Sequence, residues 1–164
     1  MSSSETRSAL PTGRGVIRTM PDRLFIAEMV FGGLVWMLLI SPGSHSAPVL
    51  CWVMFCSITC FLVSTIWLCV FCCGANASRI WLKLDVVYHV LATLMYLSAS
   101  ICLAVMTNAL SEHKHMNWVG PSVVAVLYKY FIAATILAFF TTLLYFIHAI
   151  YSVMRSRRAP YTAI

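Results

Sequence analysis

Four ionisable side chains lie within otherwise apolar stretches of this 164-residue sequence, namely Glu28, Asp85, His89 and His148. Carboxylates and imidazoles share hydrogen bonds or move protons, and a charge in lipid is costly enough that it usually has a partner or a function. Asp85 and His89 are four residues apart, so on a helix both project from one face. Counting about 1.5 Å per residue from the nearest arginine or lysine puts three of the four roughly 7 to 11 Å deep. We therefore predict one hydrogen-bonded polar cluster.

The competing interpretation is a small ion or proton channel or transporter that uses these same residues, because chains of carboxylates and histidines are typical of pumps. No matching polar residues continue toward the other leaflet, where the third helix reads Tyr96-Leu97-Ser98-Ala99-Ser100. Small residues of this kind suit close helix packing better than conduction. We favour a structural cluster, and we expect neither an enzyme nor a cofactor because no nucleophile–base pair or phosphate loop is present.

The elements that must hold these residues are transmembrane helices. The sequence is 61% hydrophobic and 10% charged, with a mean hydropathy of +0.88, whereas soluble proteins have about 25% charged residues. Lipid tolerates no unpaired backbone, so apolar runs that can cross a hydrocarbon core of about 30 Å must be helical. The sequence thus predicts an all-α integral membrane protein, a four-transmembrane-helix antiparallel bundle. Its spans are residues 24–40, 49–71, 86–107 and 130–151.

The distribution of positive charge predicts the orientation of the bundle. All 11 lysines and arginines except Lys114 and Lys129 fall in the N-terminal tail, the 74–83 turn or the C-terminal tail. The positive-inside rule then places both termini in the cytosol, and no basic helix indicates nucleic-acid binding. We divide the chain into a flexible cytosolic N-tail (1–20), a membrane domain (21–155) and a cytosolic C-tail (156–164).

The third connection, residues 108–129, contains an apolar stretch at 123–128. We interpret that stretch as lying at the membrane interface. The alternative is a kinked extension of the fourth helix, which would bring Lys129 into or near the membrane at a cost of about 2.5 kcal/mol or more.

Cysteines are confined to the helices and their edges, with none in the extracytoplasmic loops, so no disulfide framework is expected. Cys69, Cys72 and Cys73 stand at the cytosolic end of the second helix, where thiols are common substrates for palmitoylation. The alternative is that they are small packing residues. No further histidine or cysteine in the adjoining loop completes a zinc site there.

His113 and His115 are the other pair of metal-binding side chains that stand close together in the sequence. Two histidines at i, i+2 with no third ligand nearby are more simply explained as solvated loop residues. We therefore predict no metal site.

Three further patterns concern the ends of the bundle. Arg23 with Phe25 and Val30 matches a loose reversed cholesterol pattern, a possible lipid contact. Arg155-Ser156-Arg157-Arg158 should lie on anionic lipid. Thr162 and Ile164, at the terminal carboxylate, fit a PDZ groove; the alternative, which we favour, is a short tail without a partner.

Several stretches also resemble the signature segments of the MAL (myelin and lymphocyte) proteolipids, which are MARVEL-domain proteins, over residues 21–155. They are Phe31-Gly32-Gly33-Leu34-Val35-Trp36, Trp52-Val53-Met54-Phe55, Leu84-Asp85, Tyr88-His89, Tyr96-Leu97-Ser98-Ala99-Ser100, Thr142-Leu143-Leu144-Tyr145 and His148-Ala149. The chain departs from the family at Cys51, where a glycine is usual, in its longer third loop and in its extended C-tail.

This resemblance implies a proteolipid of cholesterol- and glycosphingolipid-rich membranes that serves vesicle trafficking, polarised apical delivery or myelin membrane organisation. It places the protein in the plasma membrane, in Golgi-derived and endosomal vesicles and in lipid rafts. Its partners would be membrane lipids, and we expect homo- or hetero-oligomers within the membrane.

Overall fold

A computed structural model describes residues 16, 20, 22–40, 48–74, 79–113 and 121–158. The fold is all-α, with four helices: α1 Leu24–Leu39, α2 Pro48–Cys72, α3 Arg79–His113 and α4 Pro121–Arg158. α2, α3 and α4 are each long and apolar enough to cross a membrane, whereas α1 is a shorter apolar helix of 16 residues. The predicted number and type of elements are confirmed.

The third and fourth helices extend beyond the predicted spans of 86–107 and 130–151 at both ends. α3 begins at Arg79, so residues 79–83 of the predicted 74–83 turn are helical. α4 begins at Pro121, so residues 123–128 belong to the fourth helix, in agreement with the alternative of a helix extension. Their position at the membrane interface stays a prediction. Proline is compatible with a first helical turn because its missing N–H has no intrahelical acceptor there. Lys129 lies within this extension with its side chain exposed.

The four helices form a closed ring in which α1 packs against α2 and α4, and α3 packs against the same two helices. α3 and α4 make the most extensive contact. Buried alanines on the two helices allow their backbones to approach closely, namely Ala92, Ala99, Ala134 and Ala138. The ring is therefore tightest along the α3–α4 seam.

Glycines at two places allow geometry that other residues would strain. α2 ends at Cys72 and is followed by Gly74, whose φ of 75° is left-handed and whose N–H donates to the Phe71 carbonyl at 3.1 Å. Within α1, a Cβ added to Gly32 would lie 2.7 Å from the Tyr96 hydroxyl oxygen. Gly32 therefore leaves room for a tyrosine from α3 in the centre of the bundle.

The distribution of polarity is inverted relative to a soluble protein. Every helix exposes large apolar side chains, for example Val30, Leu62, Leu94 and Ile136. The four ionisable residues singled out from the sequence are all buried inside the ring. An apolar exterior with polar groups turned inward is what a lipid environment requires, because burying an unpaired polar group in hydrocarbon is costly.

Candidate functional site

Four ionisable side chains meet inside the bundle, contributed by three helices. Glu28 comes from α1, Asp85 and His89 from α3, and His148 from α4, and each is at most 1% exposed. The Phe25 ring covers this group, with its centroid 4.6 Å from that of His148 and 5.2 Å from that of His89. The structure thus brings together all the residues predicted for the polar cluster.

Glu28 stands at the centre of the cluster. Its Oε1 accepts a hydrogen bond from His148 Nδ1 at 2.7 Å, and its Oε2 lies 3.7 Å from His89 Nε2. The two imidazole rings stack with centroids 3.7 Å apart and an interplanar angle of 35°. One carboxylate from α1 therefore faces histidines from both α3 and α4.

Asp85 supports the other side of His89. The His89 Nδ1–H donates to the Asp85 backbone carbonyl at 2.7 Å, and Nδ1 is 3.3 Å from the Asp85 carboxylate Oδ1. Ser152 donates its hydroxyl to Asp85 Oδ2 at 2.5 Å. The sequence analysis missed Ser152, although it stands four residues after His148 and so shares a face of α4 with it.

Several atoms of the cluster have no hydrogen-bond partner among the described residues, although all are buried. They are Glu28 Oε2, Asp85 Oδ1, His89 Nε2 and His148 Nε2. One ligand atom from each of Glu28, His89 and His148 lies within 4.8 Å of the other two. Buried polar atoms are normally paired, so this group can take up a proton or a cation.

A second ionic contact lies at the end of the bundle next to the cluster. Arg155 binds Asp22 through two hydrogen bonds, Nη1 to Oδ1 at 3.1 Å and Nη2 to Oδ2 at 2.9 Å. Burial raises the pKa of the Asp22 carboxyl above its usual range, and the Arg155 guanidinium opposes that shift. The prediction that Arg155 lies on lipid is thus corrected, whereas Arg157 and Arg158 remain exposed.

Hydroxyl groups continue the polar contacts beyond the cluster. Ser64 of α2 hydrogen-bonds Tyr145 at 2.9 Å and Tyr88 at 2.7 Å. Further along, Ser100 pairs with Thr142 at 3.0 Å, and Thr107 pairs with Thr135 at 2.9 Å. These pairs tie α3 to α4 at intervals along their seam.

The predicted lipid contact at Arg23, Phe25 and Val30 does not form one surface. Arg23 and Val30 are exposed, but Phe25 is completely buried against the cluster histidines. Phe25 and Glu28 are three residues apart and share the inward face of α1. The cholesterol pattern is therefore corrected, since one of its three residues cannot reach lipid.

All seven cysteines carry free thiols. Cys69 and Cys73 are exposed and Cys72 is partly exposed at the end of α2, whereas Cys51 is exposed near the opposite end. Cys60 is buried in the core. Cys69 and Cys73 thus offer exposed thiols, and the acylation of this end of α2 stays a prediction.

Other predicted residues lie outside the described part of the chain. These are Thr162 and Ile164 of the PDZ pattern, His115 of the outer loop, and most of the N-tail. His113 is the last residue of α3.

Comparison with known proteins adds relatives that cover nearly the whole chain. The MARVEL family, described as a membrane-associating domain, matches residues 16–151. The myelin and lymphocyte protein of Homo sapiens is 38% identical over 154 residues, covering 90% of this chain and 92% of that protein. The same protein of Canis lupus familiaris is 39% identical over 149 residues with the same coverage. Plasmolipin of Danio rerio is 38% identical over 88 residues, about half of each chain. No solved structure matches the chain.

Proposed function

The chain belongs to the MARVEL family and, within it, to the MAL (myelin and lymphocyte) proteolipids, and on that premise we propose that it organises cholesterol- and glycosphingolipid-rich membrane during vesicle trafficking. It is a multi-pass, membrane-associated proteolipid. Within the proposal, its tasks are polarised apical delivery or the organisation of myelin membrane.

The observation that carries this proposal is an open, mostly apolar groove between α3 and α4. The groove encloses about 390 Å³ and is lined mostly by apolar side chains, including Val90, Leu94, Phe146 and Ile150, with Arg157 also in its wall. A guanidinium near the end of α4 complements an anionic lipid headgroup, while the apolar wall suits the chain attached to it. Its occupant in this proposal is a membrane lipid.

The proposed compartments are the plasma membrane, Golgi-derived and endosomal vesicles, and lipid rafts. Both termini face the cytosol, because nearly all lysines and arginines lie on that side. The bond between Asp22 and Arg155 supports the proposal that the start of α1 and the end of α4 lie on the same side of the membrane. Oligomers form through the apolar exterior of the ring.

Lipid mass spectrometry on detergent-free polymer discs tests the proposal. The discs should be enriched in cholesterol and glycosphingolipid relative to discs that hold an unrelated four-helix protein. Ala149 lines the groove, so Ala149→Trp should fill it and lower lipid enrichment. Ile136 is 64% exposed on α4 and does not line the groove, which makes Ile136→Trp the matched control. Lipid content equal to that of the unrelated protein would contradict the proposal.

A small ion or proton channel is the second candidate, favoured by the buried cluster of carboxylates and histidines. Proton and cation flux into liposomes that contain the purified protein separates the two functions. The organising role predicts no flux above that of empty liposomes. A conductance that Glu28→Gln abolishes would replace it with the channel.

A further inference from the structure

Three helices direct metal-binding atoms toward one buried point. Glu28 of α1, His89 of α3 and His148 of α4 are completely buried, and one ligand atom from each lies within 4.8 Å of the other two. We propose that these three residues bind a divalent transition-metal ion of the zinc type inside the bundle. Such a site goes beyond the lipid-organising role, because it concerns how the bundle is held together and not what surrounds it.

The orientation of His89 carries the first step of the argument. A backbone carbonyl only accepts hydrogen bonds, so the 2.7 Å contact with the Asp85 carbonyl means that His89 Nδ1 carries a proton. In the neutral ring, Nε2 then presents a lone pair toward Glu28 Oε2, 3.7 Å away. Neither atom has a hydrogen-bond partner among the described residues. A cation between them satisfies both lone pairs.

Asp85 and Ser152 complete the arrangement as supporting groups. Metal-binding histidines almost always donate their other ring N–H to a carboxylate or a carbonyl, which fixes the ring and raises its basicity. His89 has both kinds of acceptor on Asp85, and Ser152 in turn donates to the Asp85 carboxylate. Glu28, His89 and His148 therefore act as ligands, while Asp85 orients one of them.

Charge balance favours a divalent ion. In the metal-bound form both imidazole ligands are neutral, so ionised Glu28 and Asp85 would give the cluster two negative charges in a region where uncompensated charge is costly. One divalent cation cancels both charges. Among the described residues, the other ionic contact near the cluster joins Asp22 to Arg155, and this pair has no net charge that a cation would have to compensate.

The ligand types narrow the choice of metal. Two imidazoles and one carboxylate suit zinc and neighbouring transition metals, whereas Ca²⁺ and Mg²⁺ take oxygen ligands. Zinc with three protein ligands binds water at its fourth position. Tetrahedral ligand atoms about 2.0–2.1 Å from zinc lie roughly 3.3 Å from one another, so the observed atoms would close around the ion by rotation of their side chains.

The test uses the full chain in lipid nanodiscs, stripped with a chelator and then titrated with Zn²⁺. We expect about one tightly held zinc ion per chain and an X-ray absorption spectrum with nitrogen and oxygen ligands that include imidazole. Glu28→Gln and His148→Gln should reduce bound zinc to background. Asp85→Asn should weaken binding by about 10- to 100-fold, because it removes only the orienting group.

The matched control replaces the other three histidines of the sequence, His45, His113 and His115, and should keep the ion. Circular dichroism and size-exclusion chromatography report whether each variant folds. If a variant does not fold, its zinc content is set aside, and the ligands seen in the X-ray absorption spectrum of the wild type test the site instead. Failure of the wild type to retain zinc, sulfur in its ligand shell, or undiminished binding in the folded Glu28 and His148 variants would each overturn the site. None of these outcomes changes the lipid enrichment expected for the proposed function.

Discussion

Arg155 binds Asp22 through two hydrogen bonds of 3.1 and 2.9 Å, which join a residue two positions before α1 to the last turn of α4. The two residues are 133 positions apart, and the bond closes the ring of helices at the end where the chain enters and leaves it. The Asp22 side chain is completely buried, while the Arg155 side chain is 16% exposed. The contact fixes the relative position of the first and last helices.

Removing the arginine should destabilise the bundle more than neutralising the aspartate. Arg155→Ala removes the guanidinium that faces a buried carboxylate, and we expect a loss of about 3 kcal/mol in unfolding free energy. Asp22→Asn should cost less, because burial already raises the pKa of Asp22 and disfavours its charge. The double variant should therefore be more stable than Arg155→Ala alone.

Unfolding of the purified protein, titrated with denaturing detergent, measures these differences. The control is Arg158→Ala, because Arg158 is exposed and surface changes usually stay within about 0.5 kcal/mol. If the effects of the two single substitutions simply add in the double variant, the bond contributes nothing specific.

Two adjacent glycines should respond differently to the same substitution. The added Cβ of Gly32→Ala would meet the Tyr96 hydroxyl at 2.7 Å, and Tyr96 is held by stacking on Tyr145 with centroids 5.4 Å apart. We expect overpacking to cost about 1 to 3 kcal/mol in unfolding free energy. The Gly33→Ala control meets Phe61 at an ordinary 3.5 Å, and alanine's helix propensity favours it by about 1 kcal/mol. Equal stabilities would mean that Tyr96 moves aside freely.

Acylation should follow the exposure and position of each thiol. Cys69 and Cys73 are exposed at the proposed cytosolic end of α2, so acyl-exchange labelling should detect modification there. Replacing both with serine should remove most of the mass shift. Cys51→Ser is the control, because that thiol is also exposed but lies toward the other end of the same helix. A loss of labelling with Cys51→Ser instead would contradict the proposed orientation.

The C-terminal residues offer a test that needs no internal change. A PDZ groove holds the terminal carboxylate through backbone amides and takes the last side chain in a pocket. Adding one glycine after Ile164 moves that carboxylate and should abolish capture of PDZ proteins from cell extract. Unchanged capture and surface delivery would leave the tail as a basic tether only.

The polar cluster was predictable because a helix advances by a fixed rise per residue. The distances of Glu28, His89 and His148 from flanking charges placed them in one layer. Their pairing was not predictable, since it depends on how each helix rotates about its axis. The bond between Glu28 and His148, and the place of Ser152 beside Asp85, therefore required the structure.

Contacts at the helix ends were missed for a different reason. Arg155 was considered only as a charge at the membrane surface and Asp22 was not singled out, because their pairing depends on the closed ring of helices. Phe25 was assigned to lipid by a linear pattern that ignores helix faces, although its three-residue spacing from Glu28 indicates the inward face. The start of α4 at Pro121 was missed because apolar runs report membrane depth and not helix length.

The pairing of Glu28 with His148 also sets an order of events during synthesis. The carboxylate enters the membrane with the first helix, and its partner follows 120 residues later. At the pace of a ribosome this interval lasts roughly 6 to 24 seconds, during which α1 holds an acidic group that its own helix cannot satisfy. A chain that stops before α4 lacks the His148 hydrogen bond and leaves Glu28 with only its 3.7 Å contact to His89. A Glu28 carboxylate without that hydrogen bond thus distinguishes an unfinished chain from a complete one, and the last helix supplies the missing partner.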